Sequence, residues 1–122
     1  MSRTSVGAAS ARDAPRTPGR PTFVIAAHNE ERVIGACLDA LIRQDVLGDE
    51  IIVVANGCTD RTAEVARGYG VTVIDLPQPG KPGALNAGDA VVSTSPRVYL
   101  DADIVAPDGA IAKLTAGLER SP

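Results

Sequence analysis

The apolar positions of this chain follow two periods that alternate. TFVIAA (22–27), EIIVVA (50–55), VTVID (71–75) and RVYLDAD (97–103) are short runs rich in β-branched residues, the pattern of strands. EIIVVA is apolar at nearly every position, as suits a strand covered on both faces. Between the first two runs the period changes. Val33, Ile34, Cys37, Leu38, Leu41 and Ile42 recur at helical spacing and form one apolar stripe. Asn29 stands as a helix N-cap, and Glu30 and Glu31 suit the positive end of the helix dipole. A second helix is predicted over 59–69, stopped by Gly68 and Gly70. A third covers KPGALNAGDAVV (81–92), with Pro82 in the first turn, where a missing N–H costs nothing. A short fourth spans 108–118. This alternation predicts an α/β fold with a mostly parallel sheet flanked by helices. No strand follows 97–100, so an open sheet edge is expected there.

Composition narrows the reading. The 122 residues suffice for one domain with a modest core. Residues 1–20 carry Arg3, Arg12, Arg16 and Arg20 against the single acid Asp13, without apolar periodicity. They read as a disordered tail ahead of a domain over 21–122. The tail lacks the apolar core of a secretory signal; its Arg- and Ser-rich, acid-poor composition is also that of an organelle transit peptide. A net charge of -3 argues against a nucleic-acid partner. No apolar run approaches a membrane span. Cys37 and Cys58 have neither metal nor redox spacing and read as free thiols of a cytoplasmic protein. Phe23, Tyr69 and Tyr99 are the only aromatics, so stacking on a base or sugar has few candidates.

The polar clusters carry the chemistry. In parallel sheets, ligands bind beyond the carboxyl ends of the strands. His28-Asn29-Glu30, Asn56 through Asp60, the loop to Lys81 and Asp101-Ala102-Asp103 each follow a predicted strand. Two carboxylates one residue apart repel unless a cation lies between them, and hard oxygen ligands suit Mg²⁺ or Mn²⁺. Such an ion neutralises a diphosphate leaving group. Lys81 adds a positive charge beside a helix N-terminus, which favours phosphate.

These residues resemble glycosyltransferase family 2, inverting transferases of the Rossmann-like GT-A fold. The matching pieces are VIAAHNEERVIGACLDAL, EIIVVANGCTDRTAEVA, GKPGALNAG and VYLDADIV, in that order, within about residues 21–115. The resemblance implies a nucleoside-diphosphate sugar donor and a divalent metal, with the sugar passed to an acceptor hydroxyl with inversion. It implies that Ala27 and Glu30 line the nucleotide pocket. Asn56 and Asp60 would lie in the loop that reads base and ribose, and Lys81 and Asn86 near the donor. Asp101 and Asp103 would form the DxD pair, Asp101 towards ribose and sugar, Asp103 towards metal and diphosphate. The chain departs from the family twice. Ala55-Asn56 stands where an acid pair is common, which leaves the base open. Only residues 104–122 follow the DxD, where the acceptor half and its carboxylate base are expected. No catalytic base is therefore assigned here.

Plainer readings stand beside these. Asp60 and Glu30 are also simple first-turn helix acids, Asn56-Gly57 a turn, Lys81 a surface lysine, and Asn86 a helix residue satisfying backbone. His28, the only histidine, has no acid or nucleophile spaced to partner it. DADIV also fits the nucleophile strand of haloacid-dehalogenase-like phosphatases, but that motif opens its domain and here it comes last. A third alternative is a donor-binding fragment without turnover.

Overall fold

The computed structural model describes residues 20–92 and 96–120. The tail predicted over 1–20 lies outside the described residues except for Arg20. The chain runs β1 (Thr22–Ala27), α1 (Ile34–Arg43), a 3₁₀ turn (Gly48–Glu50), β2 (Ile51–Asn56), α2 (Thr62–Arg67), β3 (Thr72–Leu76), α3 (Lys81–Ala90), β4 (Arg97–Asp101) and α4 (Ala110–Arg120). All strand pairs are parallel, in the order β3-β2-β1-β4.

Side-chain alternation divides the sheet into two faces. Phe23, Ile25 and Ala27 of β1, Ile51 and Val53 of β2, and Val98 and Leu100 of β4 belong to one core with Ile34, Cys37, Leu38 and Leu41 of α1. Val65 of α2 and Ile111 and Leu114 of α4 pack against the same core. On the opposite face Val24, Ile52 and Val54 pack with Ala84 of α3. The sheet is therefore a middle layer, with α1, α2 and α4 on one side and α3 on the other. α3 approaches closely because Gly88 has no side chain: a Cβ there would lie 2.5 Å from Cγ1 of Val24.

Several boundaries differ from the sequence pattern for identifiable reasons. β2 starts at Ile51 because Glu50 closes the 3₁₀ turn. Its buried carboxylate accepts the Leu47 N–H at 2.9 Å and two bonds from the Arg20 guanidinium, at 2.7 and 2.6 Å. Arg20 thus belongs to the folded domain. Asn29 is not a helix N-cap. It takes a left-handed φ of 53°, its side chain accepts the Thr59 N–H at 2.8 Å, and α1 begins only at Ile34. Similarly α2 starts at Thr62 rather than 59, because Asp60 Oδ1 accepts the Thr62 N–H in an Asx turn. Among the described residues β4 pairs only with β1, so the expected sheet edge is present.

Candidate functional site

From β1 the chain moves outward through β2 and β3, then returns to place β4 on the other side of β1. A crevice opens at such a reversal, beyond the carboxyl ends of the strands. Register decides which side chains enter it. Ala26 pairs with Asp101 and shares the α3 face with Val54, and Asn56 is two residues further along β2 on that same face. The result is a cleft of about 420 Å³ lined by Ala26, His28, Glu30, Asn56, Pro79, Gly80, Lys81 and Asp101 through Asp103.

Each wall is positioned locally. At the tip of β1, His28 Nδ1–H donates to the Asn56 carbonyl at 2.8 Å, tying the first strand to the second. The Glu30 N–H donates to Thr62 Oγ1 at 2.8 Å, and the Glu30 carbonyl accepts from Val33 and Ile34 at the start of α1. Gly57 turns away from β2 at φ 63°, with its N–H on the Leu76 carbonyl at 2.8 Å. Lys81, the first residue of α3, reaches across to Asp101, Nζ to Oδ1 2.5 Å. Beneath the acidic tip, the Cys37 thiol faces the Asp101 carbonyl at 4.0 Å. Burial, with the negative charge of Asp103, pushes that thiol up to about 11. Three carboxylates, Glu30, Asp101 and Asp103, thus share the cleft with the Lys81 ammonium. Among the described residues, no three His, Cys, Asp or Glu side chains are grouped so as to hold a metal by themselves.

Of the residues singled out from the sequence, Glu30, Asn56, Lys81, Asp101 and Asp103 line this cleft. Ala27 does not. Its side chain points to the α1 face and is buried in the core, and its neighbour Ala26 lines the cleft instead. A one-residue error in a strand exchanges faces. Asp60 also lies outside, lining a separate hollow with residues 29–33. Its Oδ1 accepts from the Thr62 N–H and hydroxyl, and its Oδ2 from the Glu31 N–H at 3.2 Å, so it braces the two loops. Partial desolvation raises its carboxyl, but the bonds from Thr62 and Glu31 outweigh that, and the net direction is down. Asn86 is exposed on α3, more than a turn beyond Lys81, and does not line the cleft. Of the other lining residues, Ala26 was not singled out from the sequence, and His28, Pro79 and Gly80 appeared there only within the polar clusters after the strands, with no role assigned.

Residues 22–122 match the family model described as Glycosyl transferase family 2. The chain is 40% identical over 89 residues to 4,4'-diaponeurosporenoate glycosyltransferase of Staphylococcus aureus, a match covering 68% of this chain and 24% of that protein. Glucosyl-3-phosphoglycerate synthase from Mycobacterium tuberculosis, solved with Mn²⁺, UDP-glucose and phosphoglyceric acid, has a TM-score of 0.62 at 33% identity. That likeness covers 88% of this chain and 40% of the synthase. A mannosyltransferase from Pyrobaculum calidifontis, solved with GDP-mannose and Mn²⁺, has a TM-score of 0.72 at 25% identity, over 84% of this chain and 33% of that one. The chain spans less than half the length of each of these relatives. The family match over the whole folded region, the parallel sheet and the cleft at its switch point agree: the chain belongs to glycosyl transferase family 2.

Proposed function

We propose that the cleft binds a nucleoside-diphosphate sugar and that, in complete form, the protein transfers the sugar to an acceptor hydroxyl with inversion. The observation that carries this reading is the convergence of Glu30, Asn56, Lys81, Asp101 and Asp103 from separate chain segments on one cleft. Asn56 and Glu30 are the groups for base and ribose; the Asn side chain offers both a donor and an acceptor. Ala26 leaves room at the floor. Lys81 and the first turn of α3 face the diphosphate, where an ammonium and free backbone N–H groups favour negative charge.

The donor set suits Mg²⁺ or Mn²⁺. Two carboxylates of hard oxygen chemistry, with no third ligand grouped beside them among the described residues, match ions that complete their shell with substrate phosphates. Asp101 and Asp103 are the residues to hold the ion, which when bound supplies positive charge to the departing diphosphate. The family likeness to proteins solved with Mn²⁺ and a nucleotide sugar supports this. The chain's own groups orient the donor: Lys81 at the diphosphate, Asn56 at the base. Attack by the acceptor oxygen on the anomeric carbon requires a carboxylate base, and no described residue is assigned that role. The free thiols Cys37 and Cys58 support a reducing, cytoplasmic setting.

Asp103 is exposed and outside the strands, so Asp103→Ala is expected to keep the thermal stability of the fold and abolish Mn²⁺-dependent binding of UDP or GDP. Calorimetry showing unchanged affinity in that variant would refute the assignment.

A further inference from the structure

Lys81 begins α3, at the positive end of a helix dipole, where a cation is poorly placed unless an anion lies nearby. Its ammonium meets that need at Oδ1 of Asp101, 2.5 Å away. Both side chains remain more than half exposed, 59% and 58%, so charge rather than packing holds the pair. Asp101 is also one of the two carboxylates available to a divalent ion. An ammonium and a metal ion cannot share that oxygen without strong mutual repulsion.

We propose that Lys81 is the resident counter-ion of Asp101, and that an arriving diphosphate draws it away and opens Asp101 to the metal. This rests on the donor-binding reading above and specifies its order of events. Before the donor arrives, a divalent ion meets the Asp101–Asp103 pair with one carboxylate already neutralised, and no third ligand grouped with them among the described residues. The diphosphate changes both terms at once: it supplies the missing oxygens and offers Lys81 a stronger anion. Metal and diphosphate therefore each tighten the other's binding, by the same factor in both directions. The exposed stem of Lys81 leaves it free to swing between the two partners.

Two measurements test this. The first is Mn²⁺ binding without any phosphate, followed by electron paramagnetic resonance. Lys81→Met is expected to bind Mn²⁺ about two- to fivefold tighter than the wild type, the scale of one exposed ion pair. Lys81→Arg, which keeps the pair, stays near wild type, and Lys113→Met, on α4 away from the cleft lining, controls for loss of one positive charge. The second uses inorganic pyrophosphate with metal chelated away, read on the carboxylate ¹³C resonance of Asp101. In the wild type that resonance moves towards its position in Lys81→Met; in Lys81→Met it stays where it is. Unchanged Mn²⁺ affinity in Lys81→Met overturns the proposal. So does an unmoved Asp101 resonance while the ³¹P signal reports bound pyrophosphate. If neither protein binds pyrophosphate even with Mn²⁺ present, the donor-binding reading falls and the displacement of Lys81 with it, while tighter Mn²⁺ binding by Lys81→Met still reports the counter-ion pair.

Discussion

A methyl group on residue 57 would lie 2.6 Å from the backbone nitrogen of Pro79 and 2.9 Å from its Cα, in a residue that already has φ 63°. Backbone gives way less readily than the end of a flexible side chain. Gly57→Ala is therefore expected to destabilise the domain by about 1–3 kcal/mol and to push the Pro79–Lys81 wall away from the cleft. Urea denaturation measures the first effect; a loss under about 0.5 kcal/mol, the range of an ordinary surface change, would mean the two loops separate freely. Asp60 gives a pH-dependent counterpart. Its carboxyl lies below the ordinary value of 3.8 in the fold, because bonds to Thr62 and Glu31 favour the ionised form. Its contribution is present above that ordinary value and disappears as the pH falls through the folded one. The stability difference between wild type and Asp60→Asn should therefore shrink as the pH falls from about 5 to below the ordinary carboxylate value. A difference constant over that range would show that the charge of Asp60 is not what joins the loops. An acid near the start of a helix was legible in the sequence at position 60. Its bond to Glu31, 29 residues earlier, was not, because nothing in a local pattern records which loops meet.

Elements were read more securely than single residues. β1 occupies the predicted 22–27, since an apolar run between Pro21 and a polar HNE leaves no other choice. β2 and β3 each begin and end one residue late. For β2 the cause is the Arg20–Glu50 pair, which holds the carboxylate in a turn that hydrophobic spacing does not report. Ala27 was assigned to the pocket from the family resemblance, and no slip of β1 is involved: period-2 alternation separates two faces, but the sequence does not say which face α3 covers. α3 illustrates how an element is seated. Gly88 lets its backbone approach Val24 and Val54, where a Cβ would have only 2.5 Å and 3.5 Å of room. Gly88→Ala improves helix propensity yet is expected to cost about 1–3 kcal/mol by overpacking. A thermal melt that is unchanged or raised would show that α3 shifts outward without penalty.

The molecule as a whole is a parallel sheet with β4 at one edge, and that edge is only lightly defended. Tyr99 is 47% exposed, and its hydroxyl donates to Asp89 on α3 at 2.7 Å. Beyond it Ile104 and Val105 are also exposed. Unpaired strand edges flanked by apolar side chains invite pairing between chains. Light scattering is expected to rise with protein concentration, and Tyr99→Lys, which puts a charge on the edge, should reduce that rise. Scattering independent of concentration in the wild type would mean that the edge is closed in solution. At this scale the sequence was informative about architecture, because strand–helix alternation restricts topology severely. The order of strands, and with it the crevice between β1 and β4, came from pairing that only the folded chain displays. No helix among the described residues is long and apolar enough to cross a membrane.

The loops after β1 and β2 are laced together: His28 to Asn56, Asn29 to Thr59, Glu30 to Thr62, Glu31 to Asp60. Across the cleft, Lys81 and Asp101 meet through one water-exposed ion pair. The molecule is thus a vice with one jaw fixed and one jaw adjustable. Substitutions at 79–83 would retune the grip for a different guest, whereas the same number of changes at 28–31 would unpick the seam that keeps two strands in step.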